Sequence, residues 1–159
     1  MRIEYSIASR DEIQDLERLR LNYLFADHPD MTFEEADKVR ESLPSYFEKH
    51  LGVDMFAFIA RDMDYKGEAI ASAFLVVVEK PANPNFIHGK TGEVLNVFTS
   101  KQYRNLGIGS TLMKMLVDKG SDLGLDYVKL SATDMGYSMY KNLGFEDSES
   151  NYHEMKYKY

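Results

Sequence analysis

The stretch from Asn96 to Gly109, NVFTSKQYRNLGIG, constrains the fold of this chain more than any other. Its first residues are apolar and favour a β-strand, whereas residues 100–105 are too polar to continue a buried strand. Beyond Gly109, apolar residues recur with the spacing of one helix face, at Leu112, Met113, Leu116 and Val117. The sequence therefore predicts a strand, a polar turn and a glycine-bearing loop that opens a helix.

This predicted loop has the properties of an anion-binding site. Gly107 and Gly109 carry no side chains that would block the main-chain N–H groups, and the helix that follows contributes the positive end of its dipole. Arg104 adds a fixed positive charge that suits phosphate. A P-loop is disfavoured because no Lys follows Gly109, and a dinucleotide-binding fingerprint is disfavoured because its third glycine would fall at Leu112.

Composition limits the class of protein. The length of 159 residues predicts a single domain, residues 1–159, with a substantial core. Cysteine is absent, which excludes disulfides, thiolate metal sites and a cysteine nucleophile. The net charge of -7 argues against nucleic-acid binding. No apolar run is long enough for a membrane span, and the first residues lack the apolar core of a secretory signal, so a cytoplasmic location is expected.

The remaining elements follow from periodicity and turn signals. Alternating apolar residues predict a first strand over residues 2–8, and helical spacing then predicts two helices, the second opened by a capping box of Thr32 and Glu35. Pro44 is expected to kink or split that helix. A short helix over residues 136–142 is expected to end at Gly144. Strands are predicted over residues 55–60, 68–79, 93–99, 127–132, 145–149 and 152–157.

The resulting order, β-α-α-β-β-β-α-β-α-β-β, resembles that of the GNAT superfamily of N-acetyltransferases. The segment Arg104-x-x-Gly107-x-Gly109 resembles the pyrophosphate loop of that family, and Met139-Tyr140-Lys141-Asn142-Leu143-Gly144-Phe145 resembles its Leu-Tyr-x-x-x-Gly-Phe segment, with Met in place of Leu. The resemblance implies an α+β (α/β) fold in which about four helices flank a mixed central sheet of about seven strands. It also implies an acyltransfer enzyme that uses acetyl-CoA and no metal.

Specific residues acquire expected roles from this resemblance. Main-chain groups at the end of the central strand would pair with the pantetheine arm of acetyl-CoA, and the loop would wrap its pyrophosphate. Thr133 stands where many relatives have an Asn that touches the arm, and Gly136 is small enough for the arm to pass close by. The expected cofactor-binding residues are Val97, Phe98, Thr99, Arg104, Asn105, Leu106, Gly107, Ile108, Gly109, Ser110, Thr133 and Gly136.

Two residues are candidates for catalysis. Amine acetylation must remove a proton from the amine and supply a proton or a hydrogen bond to the departing thiolate. Tyr140 stands where the family usually has its general-acid tyrosine, although a purely packing role is the alternative. Glu93 stands where some relatives carry a glutamate general base, and a surface-facing glutamate at the start of a strand is an equal alternative. Asn96 lies near the expected opening of the sheet and could bind either substrate or water.

The acceptor is the least defined part of the prediction. The expected reaction is direct transfer of an acetyl group to a primary amine of a small molecule or peptide, with the amine entering past Tyr23, Tyr46, Phe86 and His88. No two of the four histidines have metal-ligand spacing, so no metal site is expected. The alternative function is a non-catalytic CoA-binding sensor or interaction module on the same fold. The sequence leaves open whether the protein forms a homodimer.

Overall fold

A mixed five-stranded sheet forms the centre of the computed structural model, which describes residues 1–159. Its order in space is the order in the chain. The first four strands pair antiparallel with one another in turn, and the fifth runs parallel to the fourth. The strands are β1 (Ile3–Ile7), β2 (Met55–Asp62), β3 (Glu68–Glu79), β4 (Lys90–Thr99) and β5 (Val128–Lys129).

Four α-helices cover the two faces of this sheet. They are α1 (Ile13–Asp27), α2 (Phe33–His50), α3 (Ile108–Asp122) and α4 (Asp134–Asn142), and single 3-10 turns lie at Arg10–Glu12 and Lys101–Tyr103. Helix α2 starts at the predicted capping box, in which the Glu35 N–H donates to the Thr32 hydroxyl. It continues through Pro44 without being split. None of the helices is both long and apolar enough to cross a membrane.

Two apolar cores, one on each face of the sheet, hold these layers together. On one face, α1 and α2 bury Leu16, Leu19 and Phe47 against side chains of β2 and β3. On the other face, Leu112 and Leu116 of α3 pack against the opposite side chains of the same strands, and Tyr140 of α4 joins this cluster. Strands β2 and β3 are therefore buried on both faces, which explains their nearly continuous apolar sequences.

The prediction of about seven strands is wrong, because the sheet has five. Residues 145–149 and 152–157 form no strand, and the predicted strand over residues 127–132 is reduced to Val128–Lys129. β-Propensity depends on having a neighbour with which to pair. The edge strand β5 is only two residues long, so it offers no extended partner. The side chains that suggested a terminal strand, Tyr152 and Tyr157 among them, are exposed.

Candidate active site

The sheet opens where β4 and β5 separate. The two strands pair only at Gly92 with Val128 and at Glu93 with Lys129, after which β5 ends. On its other side β4 has a bulge, because the pairing register with β3 shifts between Ser72 and Phe74. Such a bulge bends a strand and increases its twist. β4 therefore turns away from β5 and leaves a gap at the carboxyl ends of these two strands.

Asn96 stabilises the bulge from within the protein. Its backbone has a positive φ of 54°, a conformation that asparagine tolerates better than most residues. The side chain is buried and donates a hydrogen bond of 2.8 Å to the Ser72 hydroxyl. The amide oxygen accepts a hydrogen bond of 3.5 Å from Arg20. The sequence left open whether Asn96 binds substrate or water. The structure gives it a further role, which is to position the bulge.

A first cleft of about 500 Å³ lies between the end of β4, the glycine loop and α4. Every residue predicted to bind the cofactor lines this cleft, with the exception of Leu106, whose side chain is exposed at the surface. The remaining lining residues come mainly from α1 and α4. They are Tyr23, Ala26, Asp27, Tyr103, Met135, Ser138, Met139 and Tyr140.

The main-chain N–H groups of the loop are free to bind a ligand. From residue 105 to residue 110, no N–H group donates a hydrogen bond to any backbone or side-chain acceptor of the chain. The first internal bond of α3 comes at Thr111, whose N–H donates to the carbonyl of Gly107. Asn105 and Gly107 both have positive φ values, 62° and 78°, which give the loop its tight course. The loop therefore has the donors that an anion needs at the start of a helix.

Arg104 contributes the positive charge of this cleft. Its Nε donates a hydrogen bond of 3.0 Å to the carbonyl of Thr99, which anchors the side chain beside the end of β4. Its terminal nitrogens make no hydrogen bond or ion pair within the chain, so they remain available to an anionic ligand. A fixed guanidinium beside an array of N–H donors matches the chemistry of a diphosphate.

Tyr140 lies where the first cleft meets a second one. It lines both clefts, yet only 9% of its surface is exposed. Burial raises the pKa of the Tyr140 phenol, and the nearby Tyr23 phenol raises it further. Its hydroxyl makes no hydrogen bond within the chain, whereas its ring packs edge-on against Phe145. The residue therefore combines a fixed ring with a hydroxyl that remains protonated and unpaired at neutral pH.

Thr133 caps the helix that carries Tyr140. Its hydroxyl oxygen accepts a hydrogen bond of 3.2 Å from the N–H of Gly136, which satisfies one of the unpaired donors at the start of α4. Thr133 also lines both clefts. The structure thus gives this residue a role in positioning α4, in addition to the ligand contact that the sequence predicts.

The second cleft, of about 470 Å³, runs along the other side of the gap between β4 and β5. Glu93 lines it and accepts an ion pair of 3.1 Å from the Lys129 ammonium. The hydrogen bond to Glu93 raises the pKa of Lys129, so the lysine stays charged. Glu154 from the C-terminal segment adds a second carboxylate. The other lining residues are Tyr23, Val94, Leu95, Asn96, Val97, Leu130, Ser131, Thr133, Tyr140 and Ser148.

Three residues expected on the acceptor side line neither cleft. Tyr46 stacks on His50, with ring centroids 4.6 Å apart. Phe86 lies under the Lys80 ammonium, 4.2 Å from it. The His88 ring and main-chain N–H both form hydrogen bonds with the Asp126 carboxylate, and these bonds fix the loop before β4. Of the expected group, the structure brings only Tyr23 to the clefts.

Several residues at the clefts had no signal in the sequence. Ala26 and Asp27 end the first helix, and Ser148 and Glu154 lie in the segment predicted to form strands. These residues reach the clefts through tertiary packing, and no local motif marks them. No group of three or more His, Cys, Asp or Glu side chains is arranged so that it could hold a metal ion.

The sequence matches the family model of the acetyltransferase (GNAT) family over residues 13–145. The chain therefore belongs to that family and is an acyltransferase by class. No protein in a search of curated sequences matches it significantly.

Solved structures confirm the α+β GNAT fold. A predicted acetyltransferase from Clostridium acetobutylicum, solved with acetyl-CoA, is 21% identical, with 98% of this chain and 96% of that chain covered at a TM-score of 0.82. A GCN5-related N-acetyltransferase from Ralstonia eutropha is 22% identical, with coverage of 97% and 99% and a TM-score of 0.77. A ribosomal-protein-alanine N-acetyltransferase from Brucella melitensis is 15% identical, with 100% of both chains covered and a TM-score of 0.67.

Proposed function

We propose that this protein is an N-acetyltransferase that takes the acetyl group from acetyl-CoA and transfers it directly to a primary amine of a small molecule or peptide, with both substrates bound together. The observation that carries this proposal is the row of unpaired N–H groups over residues 105–110 in a cleft that meets a second cleft at Tyr140. Two adjoining clefts allow two substrates to meet without a covalent enzyme intermediate.

The first cleft suits acetyl-CoA. Free donors in the loop and the open end of the Arg104 guanidinium would hold the diphosphate. The end of β4, at Val97, Phe98 and Thr99, would present main-chain groups to the amide-bearing arm, in the manner of an added strand. Bound in this way, acetyl-CoA supplies an acetyl group activated as a thioester.

The second cleft suits a cationic acceptor. A free alkylamine has a pKa of about 10.4, so it is mostly protonated at neutral pH and is not nucleophilic. The carboxylates of Glu93 and Glu154 outnumber the one ammonium, Lys129, among the charged lining residues, which favours binding of a cation. The ion pair with Lys129 holds Glu93 in place, and we expect this carboxylate to accept the amine proton through a water molecule.

Tyr140 is suited to donate a proton to the departing thiolate. Transfer forms a C–N bond and breaks a C–S bond, so one proton must leave the nitrogen and one must reach the sulfur. The raised pKa of Tyr140 keeps its phenol protonated, and its hydroxyl has no partner within the chain. The phenol is therefore able to donate to the sulfur at the junction of the clefts, and solvent can reprotonate it afterwards.

An acetylation screen with thiol detection tests this function. The protein is incubated with acetyl-CoA and a panel of alkylamines, amino acids and peptides, while calorimetry measures acetyl-CoA binding separately. Binding together with amine-dependent thiol release is expected. Binding without thiol release for any amine would favour the non-catalytic CoA-binding sensor instead. Absence of binding would remove both candidates.

A further inference from the structure

Arg20 is a half-buried cation without an anionic partner. It lies on α1, and no carboxylate oxygen comes within 4.0 Å of its guanidinium. The other half-buried arginines are paired, since Arg18 bonds to Asp15 at 3.1 Å and Arg61 bonds to Glu12 and Asp15 at 2.7 Å. An arginine that is removed from water usually has such a partner, because desolvation of an unpaired charge is costly.

The surroundings of Arg20 belong to the two clefts. Its Nη1 donates the bond of 3.5 Å to Asn96, which lines the second cleft. Its guanidinium carbon lies 5.7 Å from the ring centre of Tyr23, which lines both clefts. Arg20 is not itself a lining residue of either cleft, but it contacts lining residues of both, on the side where the acceptor is expected.

Two further donors of this guanidinium have no partner within the chain. Nε and Nη2 of Arg20 make no hydrogen bond within the chain, yet the protein contains no buried side-chain nitrogen or oxygen that lacks a partner. Neither of these two nitrogens is therefore fully buried. They form one edge of a planar group, which is the edge that binds a carboxylate through two parallel hydrogen bonds.

The groups nearest to Arg20 are compatible with an incoming anion. Burial lowers the pKa of Arg20, and the Tyr23, Tyr46 and Asp27 side chains act in the opposite direction. The Asp27 carboxylate forms no ion pair with the arginine, because it lies more than 4.0 Å from the guanidinium, and it accepts a hydrogen bond from Tyr23 instead. Arginine stays charged at any physiological pH, so its charge is available to a ligand.

We propose that Arg20 binds a carboxylate on the acceptor, so that the preferred substrates are amino carboxylates such as amino acids or peptides with a free C-terminus. This inference rests on the proposed acetyl transfer. The amine would lie at the junction near Tyr140, and the carboxylate would lie on the α1 side. One guanidinium matches the single charge of a carboxylate better than the greater charge of a phosphate, and Lys129 is already engaged by Glu93.

Matched acceptors test this inference. Each amino acid or dipeptide is compared with its carboxamide and with the corresponding phosphate-bearing amine, in the wild type, Arg20→Gln and Arg40→Gln. Arg40 is an exposed arginine of α2 that pairs with Asp37, and it serves as the control. For the wild type and Arg40→Gln, kcat/KM should be at least about tenfold higher for the acid than for the amide. Arg20→Gln should abolish this ratio, because it should raise KM for the acid much more than KM for the amide.

Other outcomes would overturn the assignment. Equal use of acid and amide by the wild type, a preference for the phosphate, or a preserved acid preference in Arg20→Gln would each show that Arg20 does not bind a carboxylate. In the first of these cases thiol is still released, so acetyl transfer itself stands.

A binding measurement covers the cases in which the variant does not fold or no amine is acetylated. Calorimetry on the wild type compares the N-acetylated amino acid with its N-acetylated amide, and ¹⁵N NMR follows the arginine Nε–H signals. The proposal is supported if the acid binds more tightly than the amide and if the acid shifts the Nε–H resonance of one half-buried arginine. Equal binding, or no such shift, overturns it, whatever the outcome of the thiol assay.

Discussion

A Cβ atom at Gly136 would lie 3.0 Å from Cε2 of the Tyr140 ring. These two residues are one turn apart on α4, so the absence of a side chain at one position lets the ring of the other lie against the helix. The sequence suggested that Gly136 is small because the cofactor arm passes close by. The structure shows that Gly136 also determines where the Tyr140 ring lies.

Replacement of Gly136 by Ala should lower the activity while leaving the stability of the protein nearly unchanged. Alanine favours a helix by about 0.5–1 kcal/mol over glycine, which should offset the crowding of the ring, so the melting temperature should change little. The Tyr140 hydroxyl should move by a few tenths of an ångström, and kcat should fall about tenfold. Gly120→Ala on α3 is the control, because its Cβ meets only ordinary contacts such as Leu125 at 3.5 Å. Equal activity of the two variants would contradict the prediction.

Tyr140 should govern the alkaline limb of the pH profile. Burial raises its pKa above the ordinary value of 10.0, so the folded protein favours the neutral phenol. The stabilisation from that preference is fully present below pH 10.0 and is lost as the pH rises through the higher folded pKa. We therefore expect kcat at saturating amine to persist beyond pH 10 and then to fall as the phenol ionises.

Tyr140→Phe supplies the direct test of that limb. It should lower kcat by about 100-fold or more, remove the alkaline fall and leave acetyl-CoA binding nearly unchanged. Tyr137→Phe on the same helix is a suitable control, because that hydroxyl bonds to Asp147 at the surface. An unchanged kcat in Tyr140→Phe would reduce Tyr140 to a packing residue.

The sequence was most informative where the fold depends on a short stretch of backbone. Gly107 and Gly109 predicted a loop that opens a helix, which the structure has between β4 and α3, and the bounds of β3 follow from its apolar composition. The Arg20–Asn96 contact was not predictable, because it joins residues 76 positions apart. The terminal strands were predicted wrongly because alternation shows only that a segment is able to pair, and β5 offers too short an edge.

Substitutions of Glu93 and Lys129 test whether Glu93 is a general base or only one half of a structural ion pair. Substitution of either residue removes the same ion pair of 3.1 Å, but only Glu93→Gln removes the carboxylate. We expect Glu93→Gln to lower kcat/KM about 100-fold for alkylamines at neutral pH. Lys129→Gln should retain most of the activity.

The size of the Glu93 effect should also depend on the acceptor. An amine whose own pKa lies below the assay pH needs no base for its first proton, so Glu93→Gln should affect it much less than a strongly basic amine. The comparison requires kcat/KM for a series of amines of graded pKa. Equal losses in Glu93→Gln and Lys129→Gln, or a loss independent of amine pKa, would assign the pair a structural role.

Gly107 and Gly124 provide a matched test of the anion loop. Both have positive φ values, 78° and 68°, and an added Cβ would meet no atom within 4 Å at either position. Alanine at each should therefore cost about 1 kcal/mol from backbone strain and lower the melting temperature by about 3 °C. Gly107 lines the first cleft, whereas Gly124 follows the opposite end of α3. Only Gly107→Ala should disturb the course of the N–H groups and weaken acetyl-CoA binding, by about tenfold or more in calorimetry. If the two variants bind acetyl-CoA equally well, the free donors of residues 105–110 do not hold the diphosphate, and the proposed cofactor site is wrong.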